Sequence, residues 1–138
     1  MTKNDEFHNT LLQIIAADFD FLESYLLFKP HNILTQKYFN RGVMRNRRVK
    51  GLGQTLQTHY EIDIYVESKL KNESAIIEIK SHNGRRGSFT HHQYPIFQKY
   101  HPNSQIWLIF PKIPYNLDIA DLHCERFKKI GTGEIEYI

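Results

Sequence analysis

The stretch Glu61-Ile-Asp-Ile-Tyr-Val-Glu-Ser68, followed by Lys69 to Ser74 and then Ala75-Ile-Ile-Glu-Ile-Lys-Ser-His82, decides the fold. Ile62, Ile64 and Val66 alternate with polar residues, which is the period of a half-buried strand. The link from Ser68 to Ser74 is polar and turn-rich, so the two runs read as a β-hairpin. In the second run Ala75, Ile77 and Ile79 share one face, while Ile76, Glu78 and Lys80 share the other. Asp63 falls on the side of its strand opposite Ile62 and Ile64, so one carboxylate from each strand can face the same way. Two carboxylates and an ammonium are thereby held on rigid backbone at one place. Ile76, Ile77 and Ile79 make the second strand apolar on both faces, so Glu78 is expected to be partly covered, and a covered acid needs a partner.

Working outward, Leu11, Leu12, Ile15, Phe19, Leu22 and Leu26 recur at helical spacing and predict one helix over residues 5–28, capped by Asn4 or Asp5 and stopped before Pro30. Residues 33–39 predict a short strand. Residues 40–58 are polar, basic and glycine-bearing and predict a long loop or a poorly regular strand. After the hairpin, a helix is expected from about 89 to 101, with Pro95 in its first turn or kinking it. Gln105-Ile-Trp-Leu-Ile-Phe110 predicts a buried central strand. Asp118 is expected to cap a last helix over 119–130, and Glu134 to Ile138 to add an edge strand. The fold class is therefore α/β, a mixed sheet flanked by helices. Trp107, Phe110, Tyr25, Phe28, Tyr38 and Phe39 are expected in the core, with Tyr38 or Phe39 able to stack a base if exposed.

At 138 residues the chain is expected to be one domain, 1–138, with its own core. A composition of 41% hydrophobic and 24% charged residues is that of an ordinary globular protein. The lone Cys124 excludes an intrachain disulfide and a cysteine-based zinc site, reads as an inert thiol, and suits an intracellular, reducing location: cytoplasm or nucleoid, or the host cell for a viral protein. No apolar run approaches the ~18 residues of a membrane span. The polar start, Met1-Thr-Lys-Asn-Asp-Glu6, does not read as a signal peptide. His82, His91, His92 and His101 match no common zinc spacing. Gly51-Leu-Gly53 is not a phosphate-binding loop, since no strand and helix bracket it. The net charge is only +3, but Arg41, Arg45, Arg47, Arg48 and Lys50 fall within ten residues, and Arg85 and Arg86 follow the hairpin. Such clusters suit a phosphate backbone.

Divalent cations such as Mg²⁺ take hard oxygen ligands, usually one or two carboxylates completed by water and phosphate oxygens. Asp63 and Glu78 can supply the carboxylates, and Lys80 can orient a water or offset phosphate charge. Without a cation the two acids repel each other. Asp63, fourteen intervening residues, then Glu78-Ile79-Lys80 resembles the core motif of the PD-(D/E)XK nuclease superfamily, which includes restriction enzymes, Holliday-junction resolvases and RecB-like and lambda-exonuclease-like nucleases. The order of elements over roughly residues 5–111 is similar too. Glu61-Ile62 stands where that family often has a proline before the first acid.

The resemblance implies a restriction-endonuclease-like core in αβββαβ order, here followed by the C-terminal helix and edge strand. It implies that Asp63 and Glu78 bind Mg²⁺ or Mn²⁺ with the carbonyl of Ile79, and that Lys80 serves the nucleophilic water. It further implies an acid from the first helix, for which Glu23 is the best match with Asp20 and Glu6 as rivals, and a glutamine after the motif, matched by Gln93. The function so implied is a metal-dependent DNA nuclease, structure-selective or single-strand-directed, with Arg41, Arg45, Arg47, Arg48, Lys50, Arg85 and Arg86 on the phosphate backbone. A homodimer is expected because a duplex or junction offers two strands to cut. The alternatives are a catalytically weak or inactive nucleic-acid-binding or assembly module of the same fold, and an RNA nuclease.

Overall fold

The computed structural model describes residues 3–40, 48–49, 53–54, 59–127, 129–130 and 134–135. The stripe Leu11, Leu12 and Ile15 is the buried face of α1 (Lys3–Ala17), but this helix does not run on to residue 28. It breaks at Asp18, whose carboxylate accepts a hydrogen bond from the Phe21 N–H at 3.0 Å and caps a second helix, α2 (Phe19–Tyr25). An aspartate that can serve a backbone donor three residues on competes with helix continuation, and apolar periodicity does not register it.

β1 (Asn32–Asn40) follows, then a short ladder of β2 (Arg48–Val49) with β3 (Gly53–Gln54), then the hairpin strands β4 (His59–Glu67) and β5 (Ser74–Ile79). The basic residues Arg41, Arg45, Arg47 and Lys50 lie outside the described residues, as does the side chain of Arg48. The next helix, α3, spans 86–100. It begins as Arg86–Ser88, widens into a π turn at Phe89–Gln93 and closes as Tyr94–Tyr100. Pro95 has no N–H for the carbonyl four residues back. Just before it, the Tyr94 N–H reaches the Phe89 carbonyl five residues back, which is the π geometry.

β6 (Gln105–Pro111) is the expected buried strand, with Ile106 to Phe110 all in the core. The expected helix over 119–130 is not formed. Asp118 caps only the single turn Ile119–Asp121, accepting from the Ala120 N–H, and β7 (Leu122–Phe127) is a strand antiparallel to β6. Leu122 and Cys124 enter one core layer and Phe127 the other, so the period here is two rather than 3.6. Glu134–Ile135 (β9) pairs with Lys129–Ile130 (β8) and does not extend the main sheet.

The main sheet has the order β1-β4-β5-β6-β7. Every neighbour is antiparallel except β5 and β6, which are parallel and joined across the sheet by α3. α1 and α2 cover one face through Leu11, Leu12, Ile15 and Leu22 on Ile64, Ile77 and Trp107. α3 covers the other through Phe89, Tyr94 and Phe97 on Ile62, Ile76 and Leu108. The protein is thus α/β with a five-stranded mixed sheet between helices, and no helix among the described residues is long and apolar enough to cross a membrane. Trp107, Phe110 and Phe28 are core as expected. Tyr25 and Tyr38 are not, being 39% and 64% exposed. Phe39 is half-buried beside Tyr60 and Tyr65.

Cys124 is buried, and its burial pushes the thiol up to about 11. The thiolate is the reactive species. A thiol reagent at about pH 8 is therefore expected to leave Cys124 untouched in the folded protein and to titrate it on unfolding. Fast labelling under native conditions would contradict this burial.

Candidate metal centre

β4 and β5 pair from Glu67 opposite Ser74 to Ile64 opposite Ile77, where the recorded ladder ends. β5 stays bound to β6 as far as Ile79 opposite Ile109, and the Lys80 N–H donates to the Ile109 carbonyl at 2.9 Å. The segment Glu78-Ile79-Lys80 is therefore held on its β6 side and open toward β4. The Asp63 side chain fills that seam. Its Oδ2 accepts the Ile79 N–H at 2.9 Å, taking the place of a ladder bond.

Opposite the seam, β1 adapts. Thr35 faces Ile64 and Lys37 faces Ile62, so the register is kept, but Gln36 between them has φ +51°. The expectation that Ile62, Ile64 and Val66 share one face fails at this point. Ile64 and Val66 enter the α1 layer, and Ile62 enters the α3 layer. A non-glycine residue in the left-handed region costs about 1–2 kcal/mol. Gln36 is exposed, so Gln36→Gly is expected to be neutral or to stabilise by about 1 kcal/mol, and Gln36→Val to destabilise by about 1–2 kcal/mol. Urea denaturation of both variants checks this; equal midpoints would mean that the strand relaxes without cost.

Three elements converge on the open seam. Asp63 comes from β4 and Glu78 from β5, the latter in register with Leu108 on the α3 side. The third group is His8 of α1, whose Nε2 lies 3.0 Å from Asp63 Oδ2. One ligand atom from each of His8, Asp63 and Glu78 falls within 4.8 Å of the others. Asp63 and Glu78 are 4% and 3% exposed, so neither acid is solvated. Lys80 Nζ is 3.7 Å from Glu78 Oε1. The π turn of α3 delivers Gln93 to the same carboxylate.

The electrostatics follow from this crowding. Burial pushes Glu78 well above the usual carboxylate range, and the charge of Asp63 and a hydrogen bond to it push the same way; Lys80 and Gln93 oppose them only in part. For Asp63, burial also works upward, but the hydrogen bonds from His8, Glu78 and the Ile79 N–H and the charge of His8 together hold it below the usual range. His8 is raised, chiefly by its hydrogen bond to Asp63, against the effect of burial. Protons are thus held more tightly at Glu78 and His8, and less tightly at Asp63, than on the free side chains.

These residues fit a divalent cation. Glu78 Oε2 and Gln93 Oε1 are buried without any hydrogen-bond partner, and a buried acceptor left unsatisfied costs about 1–3 kcal/mol. A cation facing both carboxylates would satisfy Oε2 and remove the repulsion between them. A small open cleft of about 170 Å³ leads in beside His8, Ile79, Lys80 and Ser81, with Asp5 and Arg85 at its rim.

The structure thus brings Asp63, Glu78, Ile79, Lys80 and Gln93 together and leaves Arg85 exposed at the cleft. It does not bring the expected helix acid. Glu23 and Asp20 are exposed on α2, and Glu6 is exposed on α1. The helix breaks at Asp18, before the positions of Asp20 and Glu23, and the α1 side chain that reaches the two buried acids is His8. Arg86 is placed apart from the cleft. Its Nε donates to both oxygens of the buried Glu125 at 3.0 and 3.1 Å, and its guanidinium lies over Phe127, so it braces α3 on β7. The signal for His8 was in the sequence: positions 8, 11, 12 and 15 lie on one helical stripe, so a histidine there must face the sheet. A scan against family models, a search of curated proteins and a search of solved structures each return no match.

Proposed function

We propose that this chain is a divalent-metal-dependent nuclease that hydrolyses phosphodiester bonds of DNA, with a site of the PD-(D/E)XK kind. The observation that carries the reading is the meeting of two buried carboxylates and an imidazole within 4.8 Å, with Lys80 3.7 Å from one acid, at a seam where two strands part. An ion pair serving stability alone would not need two unsatisfied buried acceptors beside it.

His8, Asp63 and Glu78 would hold the cation. Bound there, Mg²⁺ or Mn²⁺ supplies charge neutralisation at a phosphate and lowers the pKa of a water. An imidazole among the donors suits Mn²⁺ better than Mg²⁺, which prefers oxygen ligands alone. Lys80 presents an ammonium beside Glu78, where it can orient the attacking water and offset charge on the phosphate. Gln93 holds Glu78 from the α3 side. Arg85 at the rim attracts the backbone phosphates.

Incubation of purified protein with single-stranded, duplex and branched DNA in Mg²⁺ or Mn²⁺ tests the proposal. Metal-dependent strand cleavage is expected, faster in Mn²⁺. If none of these is cut with either metal while RNA is, the substrate class is wrong. If neither nucleic acid is cut, the enzyme reading falls, and DNA binding without cleavage would leave a binding module of the same fold.

A further inference from the structure

Residues 112–118, between β6 and the Asp118-capped turn, carry three large exposed apolar side chains: Ile113, Tyr115 and Leu117. Tyr115 is unusual in backbone as well. The Asn116 N–H donates to the Ile113 carbonyl, Pro114 occupies the second position of this turn, and Tyr115 occupies the third with φ +64°. That is the pattern of a type II turn, whose third position asks for glycine or asparagine. The chain instead places a bulky aromatic there and bears the conformational cost.

The ring packs against residues that neighbour the metal-site cleft in sequence. It meets Phe7 edge-on at 5.3 Å, and Phe7 is the neighbour of His8. It also lies 6.4 Å from the ring of His82, two residues beyond Lys80. His82 is itself fixed, because its Nδ1 accepts the Gly84 N–H at 3.1 Å, and a Cβ at Gly84 would stand 2.8 Å from that nitrogen. Tyr115 and His82 thus make a preset aromatic pair, and the segment that carries His82 also supplies Lys80 and Arg85 to the cleft. Cations aligned for a phosphate beside an aromatic ring are the two elements of a single-strand platform.

We infer that Tyr115, backed by His82, stacks a nucleobase next to the phosphate held at the cleft, so that the site takes an unpaired strand. This rests on the nuclease reading above and names its substrate class. A base in a duplex is already stacked on both sides and cannot reach an edge of this kind without leaving the helix. An unpaired nucleotide can.

The test is binding of a short single-stranded DNA carrying one 2-aminopurine, whose emission falls on stacking, with Ca²⁺ in place of the catalytic metal. Wild type is expected to quench the probe. Tyr115→Phe is expected to preserve the quench, and Tyr115→Gly, which suits the turn, to abolish it and weaken binding about ten-fold or more. A circular-dichroism melt close to wild type checks that Tyr115→Gly folds. If wild type binds and quenches but Tyr115→Gly does so equally, the stacking role is overturned while the nuclease reading stands. If wild type cuts or binds duplex DNA but not the single strand, the role is likewise overturned. If wild type binds no nucleic acid at all, both fall together.

Discussion

Glu78→Gln is expected to make the metal-free protein more stable at about pH 8, by about 1–3 kcal/mol, while removing most of the stabilisation that a divalent cation gives. The sign follows from where protons sit. Burial and Asp63 raise Glu78, so the folded chain binds a proton there more tightly than the unfolded chain does. Its contribution to stability is full below its ordinary value of 4.5 and is lost as pH rises through the raised value. His8, also raised, behaves alike: its contribution is present below 6.5 and fades as pH rises through the folded value. Asp63 runs the other way, contributing above 3.8 and losing that as pH falls through its lowered value. Metal-free wild type should therefore lose stability toward alkaline pH, and Glu78→Gln should flatten that slope, the two curves converging toward acid. A cation at a thousand times its Kd adds about 4.1 kcal/mol to a protein that binds it only when folded. Thermal melts with and without Mn²⁺ should thus cross in order, the variant melting higher without metal and wild type regaining the lead with it. Parallel curves under both conditions would mean that Glu78 neither carries a buried charge nor binds the ion.

The second large effect separates chemistry from metal binding. Lys80→Ala is expected to slow DNA cleavage by about 10²–10⁴-fold with Mn²⁺ affinity retained, because its ammonium acts on the reacting groups rather than on the cation. Asp63→Asn is expected to lose both. Its amide oxygen can still accept the Ile79 N–H, so the seam and the fold should survive, but the charge that faces His8 and the cation is gone. Single-turnover cleavage paired with calorimetric Mn²⁺ titration distinguishes the two variants. Full activity in Lys80→Ala, or unchanged metal affinity in Asp63→Asn, would place the chemistry elsewhere.

Much of this site was legible because strands write their geometry into alternation. The hairpin, the pairing of Asp63 with Glu78 and the shared face of Glu78 and Lys80 follow from a period of two and a polar turn. The parting of β4 from β5 beyond Ile64 was not legible, because it lies in the pairing of the strands, where Asp63 replaces a backbone partner for Ile79 and Gln36 of β1 takes positive φ. The helix acid was misplaced for a local reason. Asp18 ends α1 through one side-chain hydrogen bond, and every stripe position counted beyond it moved to α2. At the C-terminal end, only Leu122 and Cys124 show a period of two before Glu125 and Arg126 interrupt it, and a capping aspartate at 118 invited a helix. Pairing with β6 decided the outcome, which is a tertiary fact. Arg86 looked like a phosphate contact because a basic pair carries no sign of a buried acid thirty-nine residues on.

Titration of Mn²⁺ into the metal-free protein reads the central feature most directly. Wild type should bind Mn²⁺ at a site that Asp63→Asn and Glu78→Gln abolish and that His8→Ala weakens about ten-fold or more, as loss of one of three ligands requires. Wild type that binds no Mn²⁺, or variants that bind as wild type does, would contradict a metal centre at His8, Asp63 and Glu78.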